Sequence, residues 1–145
     1  MLMDAAVLCL AFSRDDDTLA SGDQSGCIKV WRVSTGVCVR RFQHAHPLGV
    51  TSITFNKDAT QILSSSFEGS IRVHGLNSGK MLKEFRGHTS FVNDAVFSPD
   101  NSLIMSGSSD GSVRVRHLVR FVGTFLIFQN PFFVDMGYQV HQVYT

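Results

Sequence analysis

Cysteine is scarce in this 145-residue chain, and its placement excludes two classes of protein. Cys9, Cys27 and Cys38 are odd in number and include no C-x-x-C pair, so neither a disulfide framework nor a zinc site is expected. They read as small apolar residues of a reducing compartment. An excess of one charge is also missing: a net charge of +1 leaves no basic footprint for direct nucleic-acid binding. Asp15, Asp16 and Asp17 share one turn, where three acids read as a solvated loop rather than a metal site. The secretory pattern is absent, because Asp4 stands where a basic region would precede the apolar run. The apolar stretch 121–128 is too short for a bilayer, which takes about 20 residues, so no membrane span is expected. Phosphate loops, metal-ligand sets and nucleophile elbows are lacking, which leaves no catalytic residues, no cofactor and no enzyme in the expectation.

What the chain does contain is one pattern used three times. Residues 12–31 read FSRDDDTLASGDQSGCIKVW, residues 55–74 read FNKDATQILSSSFEGSIRVH, and residues 97–116 read FSPDNSLIMSGSSDGSVRVR. The leading aromatics Phe12, Phe55 and Phe97 are 43 and then 42 residues apart, with no internal gaps. In each copy an apolar segment ends at the Phe and a polar turn follows, rich in Asp and Asn that tolerate turn conformations. A short apolar strand, a small-residue turn with Gly, and an alternating run (CIKVW, SIRVH, SVRVR) complete the unit. Alternation places Ile28 and Val30, Ile71 and Val73, and Val113 and Val115 on one strand face, with Lys and Arg on the other.

The expected strands are 6–12, 18–22, 27–33 and 38–43; then 50–55, 61–66, 70–76 and 81–86; then 92–97, 103–108 and 112–118. No window in this region shows a helical apolar period. Short strands at even spacing, joined by turns such as Ser34-Thr35-Gly36 and Asn77-Ser78-Gly79, describe four-stranded antiparallel propeller blades. The fold class is therefore all-β, with three consecutive blades and units near 1–43, 44–86 and 87–118.

The period of about 40 to 45 residues resembles that of WD40 repeats. His46 and the pair Gly87-His88 stand where that family has its Gly-His dipeptide, and SDGSVRV and SGCIKVW resemble the strand before its Trp-Asp dipeptide. The phrases MDAAVLCLAFSRD, RVHGLNSGKMLKEFRGHTSFVNDAVF and CVRRFQHAH are similar to one branch, the Smu-type WD40 splicing proteins. That resemblance covers residues 1 to about 115. It implies a nuclear pre-mRNA splicing factor of the precatalytic spliceosome that acts through protein contacts. It also implies a helical LisH and CTLH region and further blades, none of which is written in these residues.

The same resemblance implies a buried tetrad of His, Ser, Asp and Trp in each blade. The serine is Ser21, Ser64 and Ser106; the histidine is His46 and His88, with Met3 at the equivalent place in the first unit. The acid place holds Ser25, Glu68 and Asp110, and the Trp place holds Trp31, His74 and Arg116, so no unit has all four. Each such hydrogen bond contributes only about 1 kcal/mol net, which leaves the blades intact. A hydrolytic triad is not expected from these residues, since the serines lie within strands and no G-x-S-x-G turn is present.

Residues 117–145 depart from the repeat. Seven of the fifteen aromatics fall here, with Asp135 the one acid. The expectation is a non-repeat tail from an alternative exon, a retained intron or a faulty gene model, with 121–129 as a substitute outer strand for the third unit.

Function is then a matter of surface. The loops before each first strand carry Pro47, Leu48, Thr89, Ser90 and Phe91, and the turns between second and third strands carry Gln24, Phe67 and Ser109. Phe67 and Phe91 are expected to form either a binding anchor or part of the inter-blade packing. The expected partners are proteins, spliceosomal ones by the resemblance. A generic adaptor, as in ubiquitin-ligase substrate receptors or signalling assemblies, is the alternative, and a truncated product without its own function is a third. Open blade edges predict self-association and low solubility.

Overall fold

The computed structural model describes residues 1–118 and, by its backbone, the strand Gln139–Gln142. Three antiparallel four-stranded sheets follow one another along the chain. The first holds β1 (Val7–Phe12), β2 (Thr18–Asp23), β3 (Ile28–Arg32) and β4 (Val37–Phe42). The second holds β5 (Val50–Phe55), β6 (Gln61–Ser66), β7 (Ile71–Gly75) and β8 (Met81–Phe85). The third holds β9 (Val92–Phe97), β10 (Leu103–Ser108), β11 (Val113–His117) and β12 (Gln139–Gln142). Every strand from β1 to β11 lies within one residue of its expected bounds. The described residues contain no helix, and none that could cross a membrane.

The tight turns explain why each unit is a meander. Asp16, Ala59 and Asn101 occupy the same place in the first turn of each unit, all with φ between 53° and 61°. Asn and Asp visit this left-handed region at low cost, whereas Ala carries the Cβ penalty. Each turn is closed by its neighbours: Asp15 accepts from the Asp17 and Thr18 amides and from the Ser13 hydroxyl. Asn56 accepts from Thr60 and Gln61, and Asp100 from Ser98 and Ser102.

Apolar burial runs between sheets rather than within one. Strand β5 packs on β1 and β2, and β9 packs on β5 and β6, so the first strands line the inner side of an arc of blades. The core between the first two sheets joins Ala20, Ile28 and Val30 to Val50, Ile53 and Ile62. The core between the second and third joins Leu63, Ile71 and Val73 to Val92, Ala95 and Ile104. The alternating valines and isoleucines of β3 and β7 thus face the next blade. Their basic partners are covered as well: Lys29 is buried against the Leu2 carbonyl and Asp4, and Arg72 reaches the Ala45 carbonyl, Glu68 and Glu84.

The outer strand of the third sheet differs from expectation. It is supplied by Gln139–Gln142, which pairs antiparallel with β11, while 121–129 lies outside the described residues. The backbone ladder next to β11 asks only for strand-compatible peptide groups, so a non-repeat segment fills it.

Candidate functional site

In the third blade the loop before β9 carries His88 onto β10 and the β10–β11 turn. Nδ1 of His88 is 2.9 Å from Asp110 Oδ2, and Nε2 is 2.9 Å from the Ser106 hydroxyl. Asp110 also accepts from the Thr89 amide and, at 2.6 Å, from the Ser112 hydroxyl. The second blade repeats this with Glu68 in the acid place: His46 Nδ1 is 3.0 Å from Glu68 and Nε2 is 2.9 Å from Ser64. Ser70 bonds Glu68 as Ser112 bonds Asp110. An ionised carboxylate only accepts, so Nδ1 carries the proton and Nε2 accepts from the serine.

Burial pushes both histidines below their ordinary value, although the neighbouring carboxylates act the other way. Burial tends to raise Glu68 and Asp110, but hydrogen bonds from the serines and histidines hold both below the usual carboxylate range. Neutral imidazole against carboxylate is therefore the working state. Ser64, Ser106 and His46 are buried, and the sets act as fasteners between loop and strand.

The first blade lacks the histidine and shows what replaces it. Nε1 of Trp31 donates to the Ser21 hydroxyl at 2.8 Å, and that hydroxyl lies 3.2 Å from Met3 Sδ, a soft acceptor in the histidine place. The equivalents of Trp31 have diverged. His74 is buried beside the Phe42 ring, its Nδ1 has no hydrogen-bond partner, and burial pushes its pKa down to about 4. Arg116 lies over Phe85 and donates to the Arg86 carbonyl, and burial lowers its pKa to about 10.

Sequence reasoning missed the residues that shape the second turn. Asp23, fully buried, accepts from the Ser25 and Cys27 amides, and Ser66 and Ser108 take the same place by accepting from the Glu68 and Asp110 amides. The signal was present as a short polar residue two positions before the acid place, the pattern of a side chain that closes its own turn.

The eight expected surface residues meet at one end of the arc. The amides of Gln24, Phe67 and Ser109 bond the carbonyls of Ala6, Gly49 and Phe91, which ties each second turn to the loop before the first strand. Gln24, Pro47, Leu48, Thr89 and Ser109 are exposed and Ser90 is half-buried. Phe67 is 38% and Phe91 50% exposed, and their rings meet edge to face with centroids 5.3 Å apart. They touch across two blades without leaving the surface, so the pair takes part in the contact between blades while keeping an exposed apolar face. Leu8 lies at the same spot, since a Cβ added at Gly49 would stand 3.0 Å from both Leu8 and Phe67.

At the opposite end the repeat aromatics Phe12, Phe55 and Phe97 converge with Arg14 and Lys57 on a groove of about 410 Å³. Among the described residues no group of three or more metal-ligating side chains is gathered.

Comparison with known proteins follows this geometry blade by blade. The family model "WD domain, G-beta repeat" matches residues 4–32, 36–74 and 79–116. Periodic tryptophan protein 2 of Arabidopsis thaliana is 33% identical over 79 residues, covering 54% of this chain and 9% of that protein. Protein ROOT INITIATION DEFECTIVE 3 of the same plant is 34% identical over 101 residues, 62% of this chain and 23% of that one. Polyadenylation factor subunit 2 of Candida albicans is 30% identical over 77 residues, 53% of this chain and 14% of that one. The chain thus spans less than a quarter of the length of these relatives. The crystal structure of the computationally designed Ika4 protein superposes with a TM-score of 0.70 at 29% identity, over 80% of this chain and 68% of that one. With three matched repeats on three meandering sheets, this chain belongs to the WD40 family.

Proposed function

We propose that the chain is a non-catalytic protein-interaction scaffold of nuclear pre-mRNA splicing. The observation that carries the scaffold reading is the Phe67–Phe91 pair, an exposed aromatic contact that bridges two blades at the loop-rich end. Aromatic anchors of this kind dominate protein interfaces because they bury large area with few rotatable bonds. Leu48, Pro47 and Leu8 extend the apolar surface, and Gln24, Thr89, Ser90 and Ser109 provide a polar rim. Sealing of the His–Ser pairs supports a role without catalysis.

The splicing assignment rests on the resemblance of the quoted phrases to Smu-type proteins, and similarity to a polyadenylation factor subunit is consistent with work on mRNA. Affinity capture of the tagged 145-residue chain from nuclear extract tests it. Recovery of spliceosomal proteins with a discrete folded species is expected. Recovery of ubiquitin-ligase or signalling components instead identifies an adaptor, and recovery of chaperones alone refutes both.

A further inference from the structure

The first two blades bury their β3-type faces under the next blade, and the third blade has the same face with no successor among the described residues. In the first core, Ala20, Ile28 and Val30 are covered by Val50, Ile53 and Ile62; in the second, Leu63, Ile71 and Val73 are covered by Val92, Ala95 and Ile104. The repeat places Met105, Val113 and Val115 on the third such face, where Val113 is 45% exposed. It places Val7, Leu10 and Leu19 on the covering side of the first blade, where Val7 is 48% and Leu10 62% exposed. Both halves of a third core are present, at opposite ends of the described arc.

The glycines report the same vacancy atom by atom. A Cβ at Gly22 would stand 2.8 Å from Val50 of the next blade, and one at Gly26 would stand 1.9 Å from the His46 carbonyl oxygen. At Gly69 it would stand 3.1 Å from the His88 and Ser90 carbonyl oxygens. In the third blade Gly107 and Gly111 take the places of Gly22 and Gly26, and among the described residues neither has anything within 4 Å. Gly111 keeps the cradle conformation, with φ +82°, as Gly26 and Gly69 do at +85° and +87°.

We propose that a second copy of this chain fills that place, its Val7 and Leu10 packing on Val113 and Val115 and its residues 3–5 crossing Gly107 and Gly111. The contact is head-to-tail, and such contacts close into rings when the rotation permits. For the 145-residue chain, the three described blades from each of two copies lie within the range of about 4 to 8 that propellers use, whereas those of three copies exceed it. The assembly is therefore a closed dimer with two equal interfaces.

Sedimentation equilibrium of the 145-residue chain across the micromolar range is the test, joined to thermal melts of two variants. A species of twice the 16.0 kDa chain mass is expected. Leu10→Asp places a charge in the joint, and Gly111→Asn adds a side chain that tolerates positive φ where the incoming loop would cross. Each is expected to weaken dimerisation by at least about tenfold, equivalent to ~1.4 kcal/mol. Gly111→Asn meets none of the described residues of its own chain within 4 Å, so it should retain the strand spectrum of the parent. A monomer throughout the range, open-ended polymers, or dimerisation unchanged by both variants would overturn the proposal.

Discussion

The rings of Phe67 and Phe91 meet edge to face with centroids 5.3 Å apart, one from the β6–β7 turn and the other from the loop before β9. Because both remain exposed, the contact lies at the surface rather than in a core. A double-mutant cycle with Phe67→Ala and Phe91→Ala should return a coupling of about 0.5 to 1.5 kcal/mol in thermal or urea unfolding, the size typical of aromatic pairs. Loss of cooperative unfolding in the double variant would mean that the pair is part of the core after all.

His88 and Asp110 hold the loop before β9 onto the third blade, and both side chains are nearly covered. Asp110→Ala leaves the Nδ1–H of His88 and the Thr89 amide without their acceptor, and should cost about 1 to 3 kcal/mol in urea unfolding. Asp110→Glu should recover part of that loss, because Glu68 does the same task for His46. Equal losses in both variants would contradict this.

Much of this was legible in the residues themselves. The alternation in CIKVW and SIRVH marks the strand, and the 43-residue step places His46 beside Ser64 and Glu68 once the blade closes. The role of Asp23 was present only as a short polar residue two positions before the acid place, because the repeat replaces it with Ser66 and Ser108, whose hydroxyl oxygens accept from the same amide as its carboxylate does. Crowding at Gly26 was hidden: one-dimensional spacing does not show that the His46 carbonyl passes directly over it. Nor does spacing show that Gln139–Gln142, beyond the repeat, supplies the outer strand beside β11.

Acid should weaken the fold through its histidines. His46, His74 and His88 all have pKa values lowered by burial, that of His74 to about 4. Between that value and the ordinary histidine value of about 6.5, the unfolded chain binds more protons than the folded one. The histidine contribution is therefore complete above about pH 6.5 and is lost as pH falls towards 4. Urea midpoints measured from pH 7.5 to 4.5 should decline, and His74→Phe, which removes a buried unpartnered nitrogen, should flatten the decline. A slope unchanged in His74→Phe would contradict the assignment of that share to His74.

Two glycine substitutions separate conformational cost from crowding. Gly36 has φ +70° and none of the described residues within 4 Å, so Gly36→Ala should cost only about 1 to 2 kcal/mol, the penalty of a left-handed residue. Gly26→Ala meets the same penalty and a carbonyl oxygen 1.9 Å away, so it should destabilise far more. Comparable melting points for the two variants would refute the crowding.

Ala59 takes the left-handed place that Asp16 and Asn101 fill in the other units. Ala59→Asn should stabilise the chain by about 1 kcal/mol, raising the melting temperature with no change in fold. A lower melting temperature would show that the neighbouring turn cannot accommodate the amide.

The scaffold reading is tested most directly by parallel capture from nuclear extract with the parent chain and with the Phe67→Ala, Phe91→Ala double variant, both verified as folded. The account predicts a discrete set of spliceosomal proteins with the parent and its loss with the variant. The same set recovered by both chains would contradict it.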